Sequence, residues 1–364
     1  MINEDFDIIV TSFNALSKLK RCLSSIRKHT QGLAYRITVV DNGSEFPVVN
    51  FLNKRKDIQF IDLKRNYGPA KAFNIALKKT KAQFIVRIDD DSEVTPNWLI
   101  DIYTSFKRAK TVGIVGMKSI FPDGTIAFAE DLAKYHSAGS YRAIDRGQKN
   151  YIRFCDVVSG AGMFFPRFIL TRVGLFDQRL SGHEDMDFCF RVRKAGYKIL
   201  YNGKVTLIHN FLYRFKGSAE KEMEKFSQKW RGFEYLPFSD SHPSDKYNTR
   251  GVDYLIRRDF KRALINFEKV KIIDKRLVDE FYVALALWGQ KRKKQAHVKF
   301  DKIRKINPFD HRVNHFLALV KLKENGIDDA FKIIGPCLKS ERLGKGLDIH
   351  PSLNRAVCDL AFLS

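Results

Sequence analysis

Between residues 5 and 120, short apolar runs alternate with amphipathic stretches, and the period of each assigns its element. Asp7-Ile8-Ile9-Val10-Thr11 is a continuous apolar run closed by polar residues, the pattern of a strand covered on both faces. Leu16, Leu19, Leu23 and Ile26 then recur at helical spacing, so one face of that stretch is apolar. Arg36-Ile37-Thr38-Val39-Val40 predicts a second strand and Ile58-Gln59-Phe60-Ile61-Asp62 a third. A helix across Ala70 to Lys79 and a strand at Gln83-Phe84-Ile85-Val86-Arg87-Ile88 follow. This β-α-β-α-β-α-β order predicts an α/β fold with a largely parallel sheet and helices on its faces. Ligands of such sheets bind beyond the carboxyl ends of the strands. There the sequence places Thr11-Ser12-Phe13-Asn14, Asp41-Asn42-Gly43 and Asp89-Asp90-Asp91. Each cluster alone is ordinary turn chemistry, but all three converge on one sheet edge.

From about residue 250 the pattern is helical throughout. Ala263-x-x-x-Phe267, Ala296-x-x-x-Phe300 and Ala330-x-x-x-Ile334 recur at 33 and 34 residues. That period matches tetratricopeptide-like helical hairpins, in which a small residue admits a neighbouring helix and a large one fills the gap. The fit is partial, because Lys275 stands where Pro308 sits one repeat later and Gly335-Pro336 interrupts the third unit. A plain helical bundle with accidental spacing is the alternative. The turn-rich segment from Pro237 to Asp245 divides the chain into residues 1–240, α/β, and 241–364, helical.

Composition narrows the classes. The 364 residues carry a net charge of +24, yet 44% are hydrophobic, which excludes a disordered basic tail. The basic surplus is spread over both parts, and its one dense run, Lys291-Arg292-Lys293-Lys294, has no nucleic-acid motif around it. Nucleic acid is therefore set aside in favour of nucleotide phosphates, an anionic acceptor or an anionic membrane surface. No run approaches the roughly 20 apolar residues of a membrane span, so a cytoplasmic protein is expected, with peripheral contact at the inner membrane surface as a further option. Cys22, Cys155, Cys189, Cys337 and Cys358 are scattered without metal-ligand spacing and read as buried free thiols.

Asp89-Asp90-Asp91 follows an apolar strand directly, so the first and third carboxylates project to one side. Paired carboxylates suit a hard cation, Mn²⁺ or Mg²⁺, bridging to a diphosphate. The competing reading is a capped loop leading to a helix that starts at Pro96, with Asp90 or Ser92 as its cap.

Four of these segments resemble, in order and spacing, the nucleotide-sugar half of family 2 glycosyltransferases with the GT-A fold. They are Asp7 to Asn14, Val39 to Ser44, Arg65-Asn66-Tyr67-Gly68-Pro69-Ala70-Lys71-Ala72-Phe73-Asn74, and Ile88 to Asp91. Ser159-Gly160-Ala161-Gly162-Met163-Phe164-Phe165, Gly174-Leu175-Phe176-Asp177 and His183 to Arg191 resemble the acceptor side of the rhamnosyltransferase-like branch. The resemblance covers about residues 5–215 and is silent on the sugar. It implies that Thr11, Ser12 and Asn14 line the nucleotide pocket and that Asp41 accepts a hydrogen bond from the base, although Asp41 could simply close its turn. It implies further that Asn66, Gly68 and Lys71 cover the ribose and phosphates. Asp89, Asp90 and Asp91 then form the DXD motif, the first two toward the donor and Asp91 on the metal.

The same resemblance makes Asp185 the base that takes the acceptor proton, with Glu184 and Asp187 close enough to raise its pKa by repulsion. An acidic helix N-terminus is the plainer reading of that cluster, and both can hold together. His209 is expected on the metal, His183 and Glu184 at the acceptor with Gly160 and Gly162, and Arg214 to Ser218 as a basic lid. Processive members carry Gln-x-x-Arg-Trp, whereas Gln228-Lys229-Trp230-Arg231 departs from it, so one sugar per encounter is expected. The reaction implied is metal-dependent inverting transfer from a nucleotide-diphosphate sugar to a polypeptide or saccharide acceptor. A cell-surface polysaccharide or lipid-linked saccharide acceptor is the alternative, and the helical part is expected to bind acceptor or a second copy. A nucleotidyltransferase lacks its glycine-rich triphosphate loop here, and an inactive scaffold would not need Asp89, Asp91 and Asp185.

Overall fold

The computed structural model describes residues 5–129, 145, 147, 149–180, 182–210, 219–232, 244–273, 275, 278–306, 311–326, 328–330 and 332–333. The chain divides into two compact units, the first ending at Ser241 apart from short exchanged segments.

The first unit begins with β1 (Asp5–Ser12), α1 (Leu16–His29), β2 (Ala34–Asp41), α2 (Phe46–Asn53), β3 (Gln59–Asp62), α3 (Pro69–Lys79) and β4 (Phe84–Asp89). Phe6, Ile8, Ile9 and Val10 are buried because α1 and α3 cover opposite faces of β1, as its continuous apolar run requires. β5 (Ser92–Val94), α4 (Trp98–Lys107), β6 (Val112–Ile120), β7 (Ile126–Phe128), β8 (Ile152–Cys155) and β9 (Gly162–Pro166) follow. The unit closes with α5 (Phe168–Val173), α6 (Glu184–Lys194), β10 (Lys198–His209) and α7 (Ala219–Lys229).

The strands form one sheet in the order β3-β2-β1-β4-β9-β6-β10-β5, with β7 on β6 and β8 on β10. The half from β3 to β4 is parallel, as the alternating pattern predicts. Beyond β4 the sheet is mixed. β9 runs antiparallel between β4 and β6, and β5 and β8 run antiparallel to β10. Strands as short as Ser92-Glu93-Val94 carry too few positions for a countable period. The apolar segments Ile199 to Tyr201 and Val205 to Ile208 are one strand, β10, whose register shifts between Asn202 and Thr206. The helix expected at Pro96 starts instead at Trp98, after Asn97 in the left-handed region at φ 62°. Ser92 is paired in β5, and Asp90 accepts from the Phe13 amide at 3.0 Å, so neither caps α4.

The second unit holds α8 (Asp245–Ile256), α9 (Phe260–Ile273), α10 (Glu280–Gly289), α11 (Lys293–Ile306) and α12 (His311–Asn325). Ala263, Phe267, Ala296 and Phe300 share its core. Gly251 is where α8 meets α9, since a β-carbon there would lie 2.4 Å from the Phe267 ring. Ala330 is buried, while Ile334, Pro308, Pro336 and Pro237 to Pro243 lie outside the described residues. Cys22, Cys155 and Cys189 are buried free thiols, and Cys337 and Cys358 lie outside the described residues.

Candidate active site

Register assembles the first part of the site. β1 lies between β2 and β4, which sets Ser12 opposite Asp41 and Thr11 opposite Asp89. Asp41 is fully buried. Its Oδ2 accepts the Ser44 amide at 2.8 Å and the Gly43 amide at 3.2 Å, so it closes its turn. Its Oδ1 is buried with no protein partner, as is the Thr11 Oγ1. A buried carboxylate oxygen is costly unless something donates to it, and a base N–H would do so. Asp41 therefore closes its turn through Oδ2 and leaves Oδ1 without a protein donor.

Asn14 is exposed and acts between loops, its amide donating to Ser44 Oγ at 2.8 Å and its Oδ1 accepting the Glu45 amide at 2.7 Å. Asn42, which sequence reasoning passed over, donates to Asn66 Oδ1 at 3.0 Å and accepts the Tyr67 amide at 2.8 Å. Asn66 also accepts the Gly68 amide at 2.8 Å. This lattice brings the β2 loop against the start of α3 so closely that a β-carbon on Gly43 would sit 2.4 Å from the Arg65 backbone. Gly43 also takes φ +82°, where glycine is favoured. Lys71 stands 4.3 Å from the centre of the Tyr67 ring and Arg65 4.5 Å from it, so the loop carries two cations held on one aromatic.

The second part is acidic. β5 pairs with the end of β10 so that His209 faces Ser92, and the β10 end thereby meets the end of β4. Asp89, Asp91 and His209 each present one ligand atom, all within 4.8 Å of one another. Ligands about 2.1 Å from one ion lie up to about 4.2 Å apart, so a small contraction would seat a divalent cation on this oxygen and imidazole set. His209 Nε2 lies 3.1 Å from Asp91 Oδ1. Burial disfavours its charged form, but Asp91 and Asp89 outweigh that and hold the imidazole above its ordinary pKa. Burial raises the Asp89 carboxyl against the pull of Arg87, and burial with the Asp91 charge pushes Asp90 up to about 7. Asp90 is turned away from the triad, onto the Phe13 amide. Lys18 stands 3.7 Å from Asp91 and donates at 2.7 Å to the Asn210 carbonyl.

The third part is the start of α6. Asp185 Oδ2 accepts the Gly160 amide at 2.7 Å and Oδ1 the Met186 amide at 2.8 Å. Burial, with the Glu184 charge beside it, pushes the Asp185 carboxyl up to about 6, against Arg87 and these two amides. The other acid expected to act on it has cations of its own. Asp187 is fully buried and engaged by Arg191 at 2.8 Å, Lys229 at 2.6 Å and the Trp230 indole at 3.0 Å, which dock the end of α7 on α6. Glu184 is also buried. It accepts from Arg87 at 2.8 Å and from the Gly182 amide at 2.9 Å, so it faces inward rather than toward an acceptor. His183 precedes the helix, its ring centre 5.7 Å from that of Phe226. Gly160 lies against Arg87 and Asp185, and Gly162 opens β9 against Met117. Arg87 is the residue sequence reasoning missed. Its two-residue spacing from Asp89 was the available signal. Arg214 to Ser218 lie outside the described residues.

Residues 7–168 match the family model described as glycosyl transferase family 2. The pre-mycofactocin glycosyltransferase of Mycobacterium tuberculosis is 26% identical over 214 residues, 57% of this chain and 43% of that protein. The teichoic acid poly(glycerol phosphate) polymerase of Staphylococcus epidermidis is 26% identical over 240 residues, 63% of this chain and 30% of that protein. The chain thus spans less than half the length of either relative. Among solved structures, GalNAc-T7 with UDP, GalNAc and Mn²⁺ superposes with a TM-score of 0.51 at 17% identity, covering 71% of this chain and 51% of that one. The sheet order, the three loops at its edge and these likenesses agree: residues 7–168 are similar to glycosyl transferase family 2, and they lie on an α/β sheet of GT-A type.

Proposed function

We propose that the first unit is a metal-dependent inverting glycosyltransferase that moves one sugar from a nucleotide-diphosphate donor to a saccharide or polypeptide acceptor. The observation that carries this is the meeting of Asp89, Asp91 and His209 at the edge of the sheet, beside the Asp41 pocket. Those three residues would hold Mn²⁺ or Mg²⁺, which supplies neutralisation of the charge on the departing nucleoside diphosphate. Thr11, Ser12 and Asp41 receive the base end of the donor, while Asn66, Gly68 and Lys71 cover the ribose and phosphates. Asp185, raised to about 6, is ionised at neutral pH and more basic than an ordinary aspartate. It takes the acceptor hydroxyl proton as that oxygen bonds to the anomeric carbon and the bond from that carbon to the phosphate oxygen breaks. Attack opposite the leaving group inverts the anomeric centre.

Asp185 and His209 lie beyond the segment matched by the family model, so their roles rest on local geometry and on the resemblance to the rhamnosyltransferase-like branch. The +24 charge favours an anionic acceptor or a membrane-bound diphosphate, and supports peripheral membrane contact from the cytoplasmic side. Among the described residues no helix is long and apolar enough to cross a membrane. The helical part of the chain, residues 241–364 by the sequence division, is read as tetratricopeptide-like. Gly251 and Ala284 stand 33 residues apart at buried positions, in step with Ala263 and Ala296. Exposed Ile272 and Val298 give it apolar surface for an acceptor or a second copy.

Sugar nucleotides should be screened for a rise in melting temperature with Mn²⁺, then for metal-dependent release of nucleoside diphosphate on adding acceptor. Donor binding without release on any polypeptide, saccharide or lipid-linked acceptor would leave a binding scaffold instead.

A further inference from the structure

Arg87 stands in contact with both acidic clusters. It lies in β4 two residues before Asp89, on the same side of the strand, and is only 5% exposed. Its Nε stands 3.8 Å from Asp89 Oδ1, and its Nη2 donates to Glu184 Oε1 at 2.8 Å. Glu184 in turn accepts the Gly182 amide, which ties down the chain immediately before Asp185. The guanidinium rests on Phe73 and Phe176, at 5.4 and 5.6 Å from their ring centres. Those rings meet edge to face at 5.1 Å. Gly160 fills the remaining side: a β-carbon there would lie 2.9 Å from Nη1 and 3.1 Å from the Asp185 Cβ.

Two facts decide what such a group does. Its Nη2 is committed to Glu184, and Phe73, Phe176 and Gly160 enclose the rest of the guanidinium. Its charge stands among Glu184, Asp89 and Asp185, all of which act on it. A cation buried in this way, joining the end of β4 to the start of α6, acts through its neighbours.

We propose that Arg87 is a positioning residue. Through Glu184 it sets where the start of α6 holds Asp185 relative to the carboxylates at the end of β4. The sequence carries this as Arg-x-Asp-x-Asp across the end of one strand and Glu-Asp at the start of a distant helix, with Gly160 between them. Arginine is needed because its planar fork serves Glu184 while staying seated on two rings, which a lysine ammonium does not reproduce.

The kinetic arm rests on the transfer reaction proposed above, and a second arm does not. Arg87→Lys should lower kcat about 100-fold, the cost of a misplacement near 1 Å, with the donor KM within about threefold of wild type. The charge-balanced Arg87→Met/Glu184→Gln double variant should transfer no more slowly than Arg87→Met, because both changes break one connection. Should Arg87→Met alone fail to fold, Arg87→Lys and the double variant, compared with Glu184→Gln, decide the matter. In parallel, amide hydrogen exchange across residues 182–187 should quicken in Arg87→Lys while the β1 amides keep wild-type protection. A raised donor KM at unchanged kcat, losses that add, or unchanged exchange at 182–187 would each overturn the positioning role. If the wild-type protein transfers no sugar from any donor, the proposed reaction fails, and the exchange arm still reads whether Arg87 positions α6.

Discussion

Two runs of acidic residues, Asp89-Asp90-Asp91 and Glu184-Asp185-Met186-Asp187, look alike in sequence and are treated oppositely by the fold. At the start of α6 the protein supplies its own cations: Arg87 for Glu184, and Arg191 with Lys229 for Asp187. At the end of β4 Lys18 stands 3.7 Å from Asp91 and Arg87 3.8 Å from Asp89, while the nearer partner is an imidazole, His209 at 3.1 Å from Asp91. A cluster already neutralised from within can hold one selected carboxylate, Asp185, at a chosen basicity. A cluster whose carboxylates converge with an imidazole on one point offers the donor set of a cation site. A run of acids therefore says little about role until the partners are known.

The sharpest way to break this contrast is Asp185→Asn. Donor binding, followed by nucleotide titration, should persist while transfer falls about 1,000-fold; wild-type turnover would remove Asp185 from the base role. Next, Asp187→Asn should cost about 3 kcal/mol of stability, read from the urea midpoint, because it strips one partner from a buried ion pair. A loss below that of Asp91→Asn, measured with chelator present, would reverse the comparison. Third, Asp91→Ala should weaken Mn²⁺ binding about 100-fold, the upper end of what losing even an outer-shell partner costs. Calorimetric titration checks it, and unchanged affinity would place the ion elsewhere. The smallest effect is in pH. A base must be ionised, so with Asp185 near 6, kcat/KM should fall about tenfold per unit below that pH and level off above it. A profile flat from pH 7 to 5 would speak against the raised carboxyl.

Legibility follows the length scale of each feature. The β3 to β4 half of the sheet, α1 and α3 were readable because each carries a long apolar run or stripe. Asp41, Asp89 and Asp91 were readable as strand-end acids because they close or directly follow β2 and β4. α2, β5 and the antiparallel β9 were not, since short elements take their form from what packs on them. Nor was Asn42, whose work is to join two loops, or the different partners of Asp185 and Asp187, which sit two residues apart.

By itself the sequence determined the α/β class, the helical second part, the strand ends where ligands gather and the identity of the acids and histidine on offer. These depend on local periodicity and on which residues break it. The tertiary structure alone decided which acids are held by arginine and lysine and which gather around His209. That outcome is set by groups far apart along the chain: Arg87 reaching Glu184, Lys229 reaching Asp187, and β10 bringing His209 to Asp91. Electrostatic role depends on burial and on distances of a few ångströms, and only the folded sheet sets those.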